Sequence, residues 1–206
     1  HRDLHSFPTR RSSDLVFLSE TPPEFPFVAL VVSGGHTSLI ECRKPHEYKT
    51  LGATRDDAVG ECFDKVARLL KLPYPGGPSI QKAAEKGDPK AFRFPRGLAK
   101  SGDLAFSYSG LKTAVLYEIR KIKEISEQTT CDIAASFQHA AVDILLSKTQ
   151  QALDETAIGR LVIAGGVAAN RLLRERHAAE IRVPVHMPPL ALCVDNGAMI
   201  AAAACS

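Results

Sequence analysis

Apolar positions along the chain recur with two periods. Phe27 to Val32 is an unbroken apolar run and Thr37 to Cys42 a second apolar stretch, with Ser33-Gly34-Gly35 between them. That pattern predicts a β-hairpin with a glycine-rich turn. From Thr54 to Lys71 the positions Val59, Cys62, Phe63, Val66 and Leu70 repeat at helical spacing, predicting an amphipathic helix capped by Thr54. Tyr74-Pro75-Gly76-Gly77-Pro78 reads as a sharp turn, followed by a short helix to about Lys86 that Gly87 stops. Ser109 is the expected cap of a helix to about Glu127, and Thr130 of a longer one to about Glu155. The last third is αβ in character. Arg160 to Ala164 is a short apolar strand, Gly165-Gly166 a turn, and Asn170 the cap of a helix to about Glu180. Val183 to Met187 reads as another strand, and Asp195 or Asn196 as the opening of an alanine-rich helix.

Composition narrows this little. A chain of 206 residues, 45% hydrophobic and 24% charged, suits one globular domain or two small lobes. A formal charge of +3 argues neither for nor against a nucleic-acid partner. Five cysteines without a C-x-x-C spacing, and odd in number, fit reduced thiols in a cytoplasmic protein better than a disulfide framework or zinc site. No apolar run is long enough to span a bilayer, so no membrane partner is expected. His1 to Leu15 lacks helical or strand periodicity, and the composition breaks at Val16. These fifteen residues are what a sequencing-adapter oligonucleotide would encode, so residues 1–15 are expected to be a foreign leader.

Several clusters offer chemistry. The bend Val31-Val32-Ser33-Gly34-Gly35-His36-Thr37 places consecutive backbone N–H groups where no Cβ obstructs an approaching phosphate, and Ser33 and Thr37 add hydroxyls. An ordinary hairpin turn explains it equally well. Asp57, Glu61, Asp64 and Arg68 share one expected helix face, suited to ribose hydroxyls or a metal, or simply to solvent. Gly76-Gly77 admits a ligand close to backbone, or is a tight connection without one. Ile163 to Asn170 puts two glycines between a strand and a helix, the junction where α/β folds accept nucleotides, although close helix packing also demands glycine. Asp195 is a helix-opening carboxylate. Lys90, Arg93, Arg96 and Lys100 alternate with Phe92 and Phe94, as in single-stranded RNA binders or in a loop that tucks its rings into a core.

Taken in order, Val31 to Thr37, Asp56 to Lys65, Tyr74 to Pro78, Phe106 to Lys112, Gly165 to Asn170 and Asp195 to Ala198 resemble the successive signatures of the tRNA N6-adenosine threonylcarbamoyltransferase family, across nearly all of Pro22 to Ala203. Pro22-Pro23-Glu24-Phe25-Pro26-Phe27 resembles its bacterial branch. The resemblance implies an α/β fold of the actin-like ATPase class, related to sugar kinases and chaperone ATPases and incomplete here. It divides the chain into residues 16–190 as the second, nucleotide-binding lobe and residues 191–206 as the start of the return into the first. It implies transfer of a threonylcarbamoyl group from threonylcarbamoyl-adenylate to N6 of the adenosine 3′ of a tRNA anticodon. It also implies accessory proteins, a paralogous scaffold and a P-loop ATPase. Carried over, Val31, Val32, Ser33, Gly34 and Gly35 would line the acyl-adenylate, Asp64 and Gly77 would contact it, Asn170 would hold its adenosine, and Asp195 would ligate one divalent metal ion, iron or zinc.

Two departures qualify this. The family's metal-binding histidine pair, expected shortly before Pro22, is missing where the leader stands, and the opening phosphate-binding hairpin is absent. The 206-residue chain alone is therefore expected to be inactive. An actin-fold phosphotransferase or ATPase remains an alternative, since fold does not decide function. So does a non-catalytic scaffold paralogue. A metallopeptidase lacks support, because there is no H-E-x-x-H.

Overall fold

The apolar run at Phe27 becomes the centre of a sheet. A computed structural model describes residues 23–45, 47–99, 101–190 and 193; the expected leader, Lys100 and Asp195 lie outside them. Among the described residues, strands β1 (Phe27–Val32), β2 (Thr37–Lys44), β3 (Glu47–Ala53), β4 (Leu161–Ala164) and β5 (Val185–His186) form one mixed sheet in the order β3-β2-β1-β4-β5. β1 pairs antiparallel with β2 and parallel with β4. All six β1 residues are buried: Val28, Leu30 and Val32 join the large core on one face, Phe27, Ala29 and Val31 a smaller cluster on the other. A strand covered on both faces has no polar side, hence the continuous run in place of alternation.

Helices α1 (Val59–Leu69), α2 (Gly76–Ala84), α3 (Ser109–Lys121), α4 (Glu127–Thr156) and α5 (Arg171–Glu180) build the larger core. α4 lies against β1 and β2 and carries α2, α3 and α5 on its other sides. Its Phe137, Ala140, Ala141, Ile144 and Leu145 are all buried, as the periodicity requires. In the same helix Lys148 is fully buried, its Nζ donating to Ser101 O, Ser101 Oγ, Asp103 O and Gln151 Oε1 at 2.5–3.2 Å. That ammonium ties the segment before α3 to the core.

Several boundaries depart from expectation. α1 begins at Val59, because Thr54 continues the sheet: it forms a parallel bridge with Phe106, and its N–H donates to Thr37 O at 2.9 Å. Thr37 Oγ1 accepts from Val59 N–H at 2.9 Å and thus serves the helix start that Thr54 was expected to cap. α3 ends at Lys121, short of Glu127. α4 starts four residues earlier than a Thr130 cap predicts, with Ser126 as its cap, Oγ accepting from Thr129 N–H at 3.0 Å. β3 has no counterpart in the sequence pattern. It is a polar, largely exposed edge strand with two register irregularities against β2, so no alternation marks it. The α5 expectation holds: Asn170 Oδ1 accepts from Leu173 N–H at 3.0 Å, and the helix ends at Glu180.

Candidate functional site

Parallel pairing of β1 with β4, Val31 opposite Ala164, brings both strands to their carboxyl ends together. The two glycine loops therefore emerge side by side, at the position where open α/β sheets receive ligands. Gly165 lies so close to Val32 that a Cβ there would overlap the Val32 carbonyl, and its φ of +100° lies where L side chains are strained. Gly60, in the first turn of α1, approaches equally closely: its N–H donates to Ser33 O at 3.2 Å, and a Cβ would stand 2.6 Å from the same oxygen. One sheet end thus carries the hairpin bend, the start of α1 and the β4–α5 junction.

In the hairpin, Val31 and Val32 bury their side chains, leaving only backbone to face a ligand. The amides of the bend are not bare. Ser33 Oγ accepts from Gly35 N–H at 3.3 Å and from His36 N–H at 3.0 Å, and Ser33 N–H donates to His36 O at 2.8 Å. Thr37 is buried and committed to α1. Gly34 and Gly35 are exposed, have no neighbour within 4 Å of an added Cβ, and lack a left-handed φ. Nothing among the described residues requires glycine at either position.

Asp64 faces α2: its Oδ1 accepts from Gly76 N–H at 2.8 Å, holding the first turn of that helix against α1. Gly77, next in the chain, again has open space where a Cβ would stand. Asn170 is 9% exposed, and its side chain is engaged twice, accepting from Leu173 N–H and donating to Gln138 Oε1 at 2.9 Å. Gln81 of α2 accepts from Arg171 N–H at 2.8 Å, joining α2 to the start of α5. Gln81 and Gln138 carry no motif in the sequence. Their role rests on partners 90 and 32 residues away.

The expected row of carboxylates does not form. Asp57 precedes α1 and pairs with Lys65 Nζ at 2.6 Å and Lys112 Nζ at 3.1 Å, while Glu61 pairs with Lys65 at 2.9 Å. Burial is the largest single influence on Asp57 and favours its neutral form, yet the hydrogen bonds and charges of the two lysines together hold its carboxyl below the usual range. Cys62 is a buried thiol pushed up to about 12, by burial first and then by the Asp57 charge, so it stays a thiol at neutral pH. The basic loop also resolves toward packing. Phe94 is buried, Phe92 stacks on it with centroids 6.0 Å apart, and Arg96 pairs with Asp143 at 2.7 Å. Among the described residues Cys62, Cys131 and Cys193 are buried thiols outside any disulfide. Among the described residues no group of three His, Cys, Asp or Glu side chains is placed to hold a metal, and none of their helices is long and apolar enough to cross a membrane.

A mixed sheet with helices packed on its core face and glycine loops side by side at its carboxyl end defines an α/β protein. Solved structures share the fold. Full-length HypF in its phosphate- and nucleotide-bound form superposes with a TM-score of 0.71 at 13% identity, over 95% of this chain and 42% of that one. HypF of T. kodakarensis superposes at 0.70 and 14% identity, over 93% and 36%. At the level of sequence, the profile of TsaD, tRNA N6-adenosine threonylcarbamoyltransferase, matches residues 14–202, and the chain belongs to that family. Proteins named tRNA N6-adenosine threonylcarbamoyltransferase from Variovorax paradoxus and Paracidovorax citrulli are 56% and 54% identical to it over 191 residues. Those 191 residues are 91% of this chain and 54% and 55% of the two relatives, so the chain spans about half the length of the curated relatives it matches.

Proposed function

We propose that the protein to which this chain belongs transfers a threonylcarbamoyl group from threonylcarbamoyl-adenylate to N6 of the adenosine 3′ of a tRNA anticodon. Family membership supports the reading, and one observation carries it to the site: Gly34 and Gly35, in the loop that leaves β1 beside the β4–α5 junction, and Gly77, at the start of α2, are glycines that no contact among the described residues requires. A ligand lying against their backbone supplies the missing reason.

In this reading the adenylate phosphate rests on the Ser33–His36 bend. Ser33 Oγ already presents an oxygen acceptor to the Gly35 and His36 amides, the place a phosphate oxygen would take once the hydroxyl rotates away. Val31 and Val32 contribute backbone alone. Asp64 of α1 and Gly77 at the start of α2 contact the acyl-adenylate, and Asn170 holds its adenosine, itself held in place by Gln138. N6 of the acceptor adenosine attacks the carbamoyl carbon, the C–N bond forms as the C–O bond to the adenylate phosphate breaks, AMP departs, and the N6 proton passes to solvent. Fixed backbone donors that stabilise the departing phosphate lower the barrier without a protein nucleophile. The divalent ion, iron or zinc, that the family resemblance implies finds no ligand set among the described residues, and Asp195 lies outside them, so no step here runs through it. A paralogous scaffold and a P-loop ATPase are the accessory partners this reading carries.

The test separates fold from ligand. In the protein completed to the length of its relatives, Gly35→Val should leave the melting temperature unchanged and weaken threonylcarbamoyl-adenylate binding about tenfold or more, with threonylcarbamoyl transfer to tRNA falling in parallel. A variant that binds the adenylate as tightly as the wild type removes the Ser33–Gly35 bend from the site.

A further inference from the structure

The most exposed large apolar side chain among the described residues is Tyr74, at 85%. It stands in the connection between α1 and α2, where Lys71, Pro73 and Pro75 are exposed as well. Arg68, in the last turn of α1, and Lys71 are both exposed, and neither side chain forms an ion pair with a described residue. That sets them apart from Lys65, Arg96, Lys112 and Arg176, which are all held by carboxylates. From Lys65 to Ala84 the chain carries Lys65, Arg68, Lys71 and Lys82 and no acidic residue. Free cations around an unburied aromatic ring suit a polyanion with unstacked bases.

Position gives the pair its meaning. Gly60 of α1 touches the Ser33 loop, and Asp64, four residues or about 6 Å further along the helix axis, holds Gly76 two residues after Tyr74. The turn therefore forms a rim of the same sheet end that receives the adenylate in the transferase reading. An acceptor adenosine beside an anticodon lies in an unpaired loop, and such loops are recognised by stacking splayed bases on aromatic rings while cations take the flanking phosphates. We infer that Tyr74 is a stacking platform for an unpaired base of the tRNA anticodon loop, with Arg68 and Lys71 contacting the adjoining phosphates. The inference rests on the transferase reading and supplies its RNA contact. The other exposed tyrosine, Tyr117, lies in the second half of α3, outside the α1–α2 connection, beside Glu118, which pairs with Lys121 at 2.7 Å.

The experiment uses the full-length protein and an anticodon stem-loop RNA, with the dissociation constant measured across a salt series. Tyr74→Ala should weaken binding about tenfold, and Tyr74→Phe should restore it. Arg68→Ala with Lys71→Ala should flatten the slope of log affinity against log salt by about 1.4, two phosphates at about 0.7 each. Tyr117→Ala should bind as the wild type does. If wild-type RNA binding survives Tyr74→Ala intact, or is lost on Tyr117→Ala instead, the inference falls and the transferase reading stands. It falls in the same way if Tyr74→Ala binds RNA normally but no longer associates with a protein partner. A wild-type protein that binds no stem-loop RNA overturns both.

Discussion

Gly165 and Gly166 are adjacent in the chain and under different constraints. Gly165 needs its φ of +100°, and a Cβ would drive into the Val32 carbonyl; among the described residues a Cβ on Gly166 would meet only Cys193 O, at 3.8 Å. Gly165→Ala should therefore destabilise the fold by about 2 kcal/mol or more, while Gly166→Ala should stay within about 0.5 kcal/mol, both read from urea unfolding. Equal losses would mean that the β1–β4 approach is not what demands glycine. The sequence showed a Gly-Gly pair after an apolar strand. It did not show which glycine the neighbouring strand requires, because that depends on a backbone more than 130 residues earlier.

At the scale of elements, helix starts depend on groups that the local pattern does not display. The first amides of α3 belong to Asp56, whose carboxylate accepts from Tyr108 N–H at 2.8 Å, Ser109 N–H at 3.3 Å, and the hydroxyls of Ser107 and Ser109 at 2.6 Å. Ser109, the cap expected from sequence, is instead the first helical residue. Burial is the largest single influence on the Asp56 pKa and raises it, but the four hydrogen bonds together outweigh it and leave the group below its ordinary 3.8. Asp56→Ala should cost about 1–2 kcal/mol at pH 7. Because the folded pKa is depressed, the gap to wild type is full above 3.8 and closes as pH falls through the lower folded value. A gap that persists unchanged in acid would assign the loss to packing. β3 escaped sequence reading for a related reason: an exposed edge strand needs only backbone pairing with its neighbour, and backbone pairing leaves no mark in side-chain type.

The whole molecule carries an acid sensitivity at the α4–α5 packing. His177 is buried, with Nδ1 donating to Leu173 O at 2.9 Å and Nε2 without a hydrogen-bond partner among the described residues. Burial above all pushes its pKa down to about 4 from the ordinary 6.5, while the Leu173 hydrogen bond works against the fall. The unfolded chain then binds a proton that the folded one refuses, so stability drops as pH falls from 6.5 toward 4. His139 is shifted in the same direction, by burial first and the Arg176 charge second, and adds to the loss. His177→Leu should keep more of its pH 7 urea midpoint at pH 5 than the wild type keeps. An identical decline in the two proteins would place the acid sensitivity elsewhere.

Side-chain pattern alone determined the hairpin, the helix after Asn170, the continuous burial of β1 and the identity and order of the motifs, since each depends on residues near one another in the chain. Tertiary structure decided what those motifs are free to do. It tucked Phe94 into the core, committed Asp57 to two lysines and Thr37 to the start of α1, and left Gly34, Gly35 and Gly77 with open space around them among the described residues. Those outcomes turn on strand order and helix packing, which bring residues far apart in the chain within hydrogen-bond reach. No local period encodes contacts of that range.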